Sequence, residues 1–554
     1  MATLKVDYTL DGFVGGPLSG DTLEGSVAFK VSREDSQFPN PLSAIGEPGD
    51  IRELFLQGRL NWQPNDALTL RATGYIIDVN APGIFEEEYL PNDRDLYDAS
   101  YGPFNGGRTI GRFELLQESP KRTDERDYVF GLAATYELAS GRIDAAVSYA
   151  REEEDSRGND LDFTALPTAA GASIFEQDVW NAEVRYTSPA SERFEYLFGG
   201  SVYFEREELL IGTLVGSGTL ADYAYAPPQS RNSRDFAIFG SATFGLGIEG
   251  LSLTTGLRYD NAYRKTDQVA GTLNFGPLGD AVFQELSFDD TFEAFLPRFA
   301  LTYRPTDQWT VFAGAARGYI LGGFNLTIAQ EAVADDVVRY GSESVWSYEI
   351  GVKHSFADGR GYINGAAFLI EADNWQEIRT ITNEQGQVQS SAFIASDAAI
   401  ESKGFEVELA YNLLENLTLN ASIGYTDADY TRLFIDSQTN LAGNLVKLVP
   451  EYDANLALRY AHSTGFFIRS EISALGRTAL DERNRFSRDP VQVLGIQAGY
   501  EADGWSIRAF AENLTDERYQ SGAGFDNFAF GFDGNFYSVY DTPRVIGLET
   551  KVRF

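Results

Sequence analysis

The sequence predicts an all-β protein, a transmembrane antiparallel β-barrel, on three observations. Apolar and polar residues alternate with period two in segment after segment. The connections between those segments are alternately short and long. No apolar run reaches eighteen residues, and mean hydropathy is −0.25, so spanning helices are excluded while half-apolar spanning strands are not.

The last strand shows the first observation most clearly. Ile546, Leu548, Thr550, Val552 and Phe554 fall on one side, with Val545, Gly547, Glu549, Lys551 and Arg553 between them. One such face suits lipid and the other water. The chain ends on that aromatic residue. Earlier segments repeat the pattern: Leu251, Leu253, Thr255, Leu257 and Tyr259; Leu417, Leu419, Ala421, Ile423 and Tyr425; Tyr128, Phe130, Leu132, Ala134 and Tyr136; Phe405, Val407, Leu409 and Tyr411. Roughly ten residues per segment matches a tilted strand crossing a bilayer.

The short connections are Leu18–Asp21, Pro64–Asp66, Ala139–Gly141, Ser188–Glu192, Leu246–Glu249, Pro305–Gln308, Ala357–Gly359, Leu413–Asn416, His462–Gly465 and Ala502–Gly504. They carry the Asp, Asn, Gly and Pro that tight hairpins need. The long segments run over residues 34–51, 79–125, 154–174, 208–233, 262–291, 320–343, 373–397, 429–451, 477–490 and 515–543. Short periplasmic turns and long extracellular loops are the asymmetry of an outer-membrane barrel. Aromatics on the apolar face crowd the short turns: Tyr303, Trp309, Phe356, Tyr411, Tyr460, Tyr500, Trp505 and Phe554. Their rings suit the headgroup level. No linker or composition break divides residues 1–554, so the chain reads as one barrel.

Composition sets further bounds. The net charge is −38, from 82 acidic and 44 basic residues, which argues against nucleic acid because phosphate binding needs a basic footprint. There is no cysteine, hence no disulfide framework and no thiol nucleophile. Met1 to Asp7 lack the basic and apolar regions of a signal peptide. The segments number 21, and the first, Leu4 to Leu18, starts on the long-loop side, whereas single-chain bacterial barrels usually have an even number. Either residues 2–18 hide a cramped hairpin or a strand is missing before Met1. The second reading, an N-terminally shortened barrel, is preferred.

Several segments resemble one family. Gly15-Gly16-Pro17-Leu18-Ser19 before Asp21-Thr22-Leu23 is similar to its early barrel turn. Ala316-Arg317-Gly318-Tyr319 with Gly322-Gly323-Phe324-Asn325 resembles its mid-barrel signature, and Ser347 to Lys353 (SYEIGVK) resembles the strand that follows. Glu512 to Tyr519 (ENLTDERY) and Phe554 resemble its C-terminal end. The chain as a whole looks like the barrel domain of a TonB-dependent outer-membrane receptor. The resemblance implies a 22-stranded barrel, of which about 21 strands lie here, and an N-terminal plug with a TonB-contacting box, neither present in residues 1–554. It implies energised uptake of a scarce bulky ligand, most often a ferric siderophore, across the outer membrane of a Gram-negative bacterium. Its implied partners are the plug domain, the TonB complex, outer-membrane lipid and lipopolysaccharide, and the barrel-assembly machinery acting on the strand that ends at Phe554. Carbohydrate, cobalamin and aromatic compounds are alternative ligands. A passive plugless pore and a barrel-anchored interaction protein are the alternative functions.

No catalytic constellation or cofactor motif is present, so no enzyme is expected. His354 and His462 sit beside short turns as rim residues. Acidic clusters at Glu86-Glu87-Glu88, Glu152 to Asp155, Asp289-Asp290 and Asp335-Asp336 lack calcium-loop spacing and read as solvated loop faces. The lumen register holds Arg258, Arg298, Arg469, Glu471, Arg508, Glu512, Glu549, Lys551 and Arg553. For ligand binding the expected residues are Tyr97, Tyr101 and Phe104 in one aromatic loop, Phe525 and Phe528 in another, Arg317, Tyr319, Phe324 and Asn325 where a strand enters an outer loop, and Trp375 and Arg379 after the next long strand. Phe and Tyr offer rigid contact area to flat or apolar ligands. For any single loop aromatic, packing one loop on another is the commoner role.

Overall fold

The computed structural model describes residues 7–35, 40, 51–81, 89–104, 106–116, 122–160, 169–191, 193–215, 223–274, 280–325, 338–382, 388–435, 439–526 and 535–552. Its wall begins with β1 (Tyr8–Ser19), β2 (Leu23–Glu34), β3 (Ile51–Asn65), β4 (Leu68–Ala81), β5 (Arg122–Leu138), β6 (Gly141–Asp160) and β7 (Ala169–Thr187). It continues through β8 (Phe194–Val215), β9 (Gln229–Gly245), β10 (Leu251–Gln268), β11 (Leu286–Thr306), β12 (Trp309–Ile320), β13 (Glu343–Phe356) and β14 (Gly361–Thr382). The last third is β15 (Val388–Leu414), β16 (Leu417–Arg432), β17 (Tyr452–Ala461), β18 (Phe466–Leu475), β19 (Val491–Ala502), β20 (Trp505–Glu512) and β21 (Val545–Val552). With the two-residue strand Ala224–Tyr225 these form one 22-stranded sheet. Each long strand pairs antiparallel with its chain neighbour.

Burial confirms the two faces. Phe29, Leu56, Ile76, Tyr128, Phe130, Trp180, Phe204, Ile238, Phe295 and Ile350 are exposed on one register, as a lipid-facing surface requires. The opposite register is polar: Lys30 contacts Glu53 at 2.6 Å, and Asn455 donates to Glu471 and Ser473 at 2.8 and 2.9 Å. At the short turns the aromatic residues pair as rim groups. Trp309 stacks on His354 at 3.8 Å, Phe356 meets Tyr411 at 5.4 Å and Tyr500 meets Trp505 at 5.5 Å. Rings at this level bridge hydrocarbon and headgroup.

The short turns fall where the sequence places them, but several outer segments do not. Strands β6 and β7 run to Asp160 and from Ala169, and β14 and β15 to Thr382 and from Val388. The ladders therefore continue well beyond the apolar stretch, because a hairpin in water keeps its backbone pairs without needing apolar side chains. Glu152 to Asp155 and Asp289-Asp290 consequently lie on strands, not on a loop face. Clusters Glu86 to Glu88 and Asp335-Asp336 lie outside the described residues.

Among the described residues β1 pairs only with β2, and β21 only with β20. Alternation through 21 strands makes these two edges run in the same direction, so they cannot form an antiparallel pair. Residues 8–19 form a single strand, which removes the cramped hairpin from that stretch.

The turn between β9 and β10 gives a test. Gly250 has φ +76° and a Cβ there would lie 2.0 Å from the Arg304 carbonyl oxygen, whereas Gly247 at φ +79° has nothing within 4 Å. Gly250→Val combines roughly 1–2 kcal/mol of left-handed strain with a backbone clash. It is expected to lower the fraction of protein with the compact mobility of unheated barrels in semi-native electrophoresis. Gly247→Ala is expected to cost only the left-handed strain, roughly 1–2 kcal/mol, and equal losses in the two would rule out the clash.

Candidate binding mouth

Among the described residues, two of the outer connections fold together. Residues 89–116 and 513–544 interlock. Tyr89–Pro91, Gln520–Asp526 and Phe536–Tyr540 form a three-stranded sheet. Next to it stands α1 (Arg94–Tyr101), whose N-cap Asp93 accepts a hydrogen bond from Leu96 N at 2.9 Å, satisfying one of the donors a helix start leaves unpaired. Asn535 clamps the two connections: its Oδ1 accepts from Asp93 N at 3.1 Å and its Nδ2 donates to Asp93 O at 2.7 Å. Tyr540 Oη donates to Asn92 Oδ1 at 2.8 Å.

The Arg518 guanidinium stacks on the Tyr540 ring at 3.7 Å and donates to Pro91 O at 3.3 Å. Burial holds this arginine below its usual value, partly offset by Tyr540. Burial likewise pushes the Tyr519 hydroxyl well up, reinforced by its hydrogen bond to Asp541. All these groups lie in the outer connections, beyond the membrane-spanning segments.

Tyr97 and Tyr101 sit at the centre of this bundle. They are 0% and 5% exposed, their rings are 5.1 Å apart, and they pack with Ile110, Leu116 and Tyr537. Packing between connections is their role here. Phe104 is 63% exposed and is the aromatic of this group that presents a surface to solvent. The backbone of Phe525 pairs with Tyr537; its side chain, and all of Phe528, lie outside the described residues.

The mid-barrel candidates separate. Arg317 is exposed opposite Trp346 and donates to Ser344 Oγ from Nε and Nη2 at 3.2 and 3.1 Å. Phe324 is buried against Phe288 at 5.9 Å with the Arg339 guanidinium over both rings. Asn325 exchanges hydrogen bonds with Ile394 at 2.8 and 2.9 Å, tying this connection to the β14–β15 hairpin. Trp375 packs against a buried cluster containing Ala398, Tyr430 and Leu433 and donates to Glu377 at 3.3 Å. Arg379 is paired in the backbone with Phe393, and its side chain lies outside the described residues. Glu377 is buried and also receives Tyr430 Oη at 2.7 Å and the Lys447 ammonium. Nothing in the alternation of residues 373–397 marks this glutamate, because its partners come from distant connections.

Tyr319 reaches an open cavity. Pairing between β11 and β12 stops at Arg298 and Ala316. Beyond that point Tyr319, Ile320 and Leu321 line a space of about 640 Å³ with Asn181, Glu183, Tyr203, Asp235, Arg258 and Asp260. These last residues all occupy the lumen register of β7–β10. Arg258 donates to Asp260 at 2.9 and 2.7 Å, Arg264 to Asp235 at 2.9 Å, and Tyr203 Oη to Glu205 at 2.5 Å. Only Arg258 of this group was singled out from sequence; continuing the inward register along the full strands would have found the rest. Among the described residues Glu125, Asp127 and Glu152 form the one group with carboxylate oxygens all within 4.8 Å of one another, also on the lumen register.

Two tests follow from the bundle. Tyr97→Ala removes a fully buried ring, a loss of about 3–5 kcal/mol where the site cannot collapse. Protease cleavage within residues 89–116 is expected to rise while barrel mobility in semi-native electrophoresis stays unchanged; unaltered cleavage counts against the bundle. A raised tyrosine value means stability that is complete below the unfolded value, about 10, and is lost as pH rises through the folded one. Cleavage in residues 513–544 is therefore expected to increase above about pH 10, and less so in Tyr519→Phe.

Comparison with known proteins agrees with this architecture. The family model described as TonB dependent receptor-like, beta-barrel matches residues 80–514. The pesticin receptor of Yersinia pestis is 22% identical over 303 residues, covering 54% of this chain and 41% of the relative. The metal-pseudopaline receptor CntO of Pseudomonas aeruginosa is 27% identical over 271 residues, covering 48% of this chain and 34% of the relative. The matched regions thus span less than half of those curated relatives. The ferric yersiniabactin uptake receptor FyuA from Yersinia pestis superposes with a TM-score of 0.78 at 16% identity, over 99% of this chain and 78% of that one. The siderophore receptor PiuA from Acinetobacter baumannii does so at 0.74 and 13%, over 99% and 79%. A family match over most of the strands, on a wall with lipid outside and charge inside, means that the chain belongs to the TonB-dependent receptors and is an outer-membrane β-barrel.

Proposed function

We propose that this barrel takes up a scarce, bulky ligand across the outer membrane, a ferric siderophore or related metal chelate before any other. The observation that carries the reading is the cavity beside Tyr319, which lies on the polar lumen face of β7–β10 and the outer end of β12. A ligand of chelate size needs such a concave, largely pre-formed surface. The relatives named for pesticin and for metal-pseudopaline, and the superposed receptors for ferric yersiniabactin and siderophores, support a chelate over carbohydrate, cobalamin or an aromatic compound.

In this reading a plug domain fills the lumen and the TonB complex pulls on it. The charged lumen register, for example Arg508 with Glu549 at 2.6 Å, supplies polar contacts for such a plug. Because the edges of β1 and β21 run in the same direction, one further strand of opposite direction would complete an even, fully antiparallel wall. Lipopolysaccharide meets the outward face, and the barrel-assembly machinery recognises the terminal strand.

Deleting the gene is expected to slow growth under iron limitation and to abolish uptake of radiolabelled ferric chelate, with the same loss when TonB is removed instead. Full uptake in the deletion strain overturns the proposal. Steady ion conductance of the native protein in planar bilayers, independent of TonB, would identify a passive pore.

A further inference from the structure

The geometry points to a charge-selective ligand subsite in the cavity beside Tyr319, one that takes a neutral or cationic, hydrogen-bond-donating ligand and rejects a polyanion. This rests on the uptake reading above and adds the ligand's charge class.

The argument starts from where the positive charges go. Arg258 is held by Asp260 at 2.9 and 2.7 Å, and Arg264 by Asp235 at 2.9 Å. One row further out, Arg231 meets Glu207 at 3.2 Å. The guanidinium donors that would grip a carboxylate or catecholate are thus turned onto the wall's own acids. Glu183 adds a further carboxylate to the lining, and Asn181 a side-chain carbonyl. The lining therefore carries three carboxylates, Glu183, Asp235 and Asp260, against the one guanidinium of Arg258.

The approach to it has the same sign. In the lumen register above the cavity, Asp127 faces Glu152, which faces Gln177, which faces Glu207. In the outer connections acidic residues outnumber basic ones more than two to one. In a partly enclosed, low-dielectric cleft such a field is strengthened, drawing cations in and opposing anions. An ammonium or amide N–H entering the cavity finds carboxylate and amide oxygens; an anion finds like charge and a guanidinium in the lining, Arg258, already held by Asp260, which is discrimination by repulsion as well as by attraction.

The test uses a charge-swapped pair of probes: a ferric trihydroxamate carrying a free ammonium, and the same chelate succinylated to end in a carboxylate. Binding to the purified full-length protein is measured at low and high salt. The ammonium form is expected to bind about tenfold tighter at low salt, with the preference shrinking as salt screens the field. Glu183→Gln is expected to reduce the preference several-fold. Arg258→Gln, which leaves Asp260 uncompensated, is expected to increase it. A disturbed fold would weaken both variants in the same direction, so opposite shifts are the signature. Equal affinities, a preference for the carboxylate form, binding of neither form, or unidirectional changes overturn the inference. Failure of the uptake proposal would show separately, as normal ferric-chelate uptake in the deletion strain.

Discussion

Backbone hydrogen bonding in a medium without water is the constraint on which everything else depends. A peptide group in hydrocarbon that lacks a partner costs several kcal/mol. A chain without an apolar helix can meet that constraint only by strands that satisfy one another across a curved sheet. Once the ladder is imposed, the pleat assigns each side chain to lipid or lumen. Ile350 then has to be outside and Glu349 inside, although they are adjacent in sequence and differ only in parity.

The same ladder explains why the outer hairpins are so long. Above the bilayer the backbone still profits from pairing, but the outward side chains no longer need to be apolar. Arg126 with Asp78 at 2.6 Å, and Arg151 with Glu176 and Asp178 at 3.0 and 3.2 Å, replace the lipid-facing residues on the same register. Exposed pairs of this kind add little stability each; their effect is to keep a charged, soluble collar on a wall that is otherwise greasy. The inner side of those extensions carries the acidic row Asp127, Glu152 and Glu207 that leads to the cavity.

The edges of the sheet impose a second condition. Strands β1 and β21 run the same way and share no backbone pair among the described residues. The interlocked connections lie above that region. One rises from β4 and the other joins β20 to β21, so Asn535, Asn92, Arg518 and the Tyr97–Tyr537 contact couple the first strands to the last. Aromatic residues that looked suited to ligand are used for this coupling, because a bundle of this size needs large rings to build a core of its own.

The sequence by itself determined the strands, their count, the two faces and the sorting of short from long connections. Each of these follows from a period or a turn residue read within a few positions, as in Leu417 to Tyr425 or Ala357–Gly359. It also placed Tyr319 near the mouth and Arg258 in the lumen. Tertiary structure alone decided which candidates share a space. Tyr97 and Tyr101 are buried by Tyr537, more than four hundred residues away; Asn325 is held by Ile394; Glu377 is buried by Tyr430 and Lys447. Tyr319 joins Asp260 only because β11 and β12 part beyond Ala316. Local patterning carries information about the next turn of chain, whereas a cavity is a property of strands brought together by the closure of the wall.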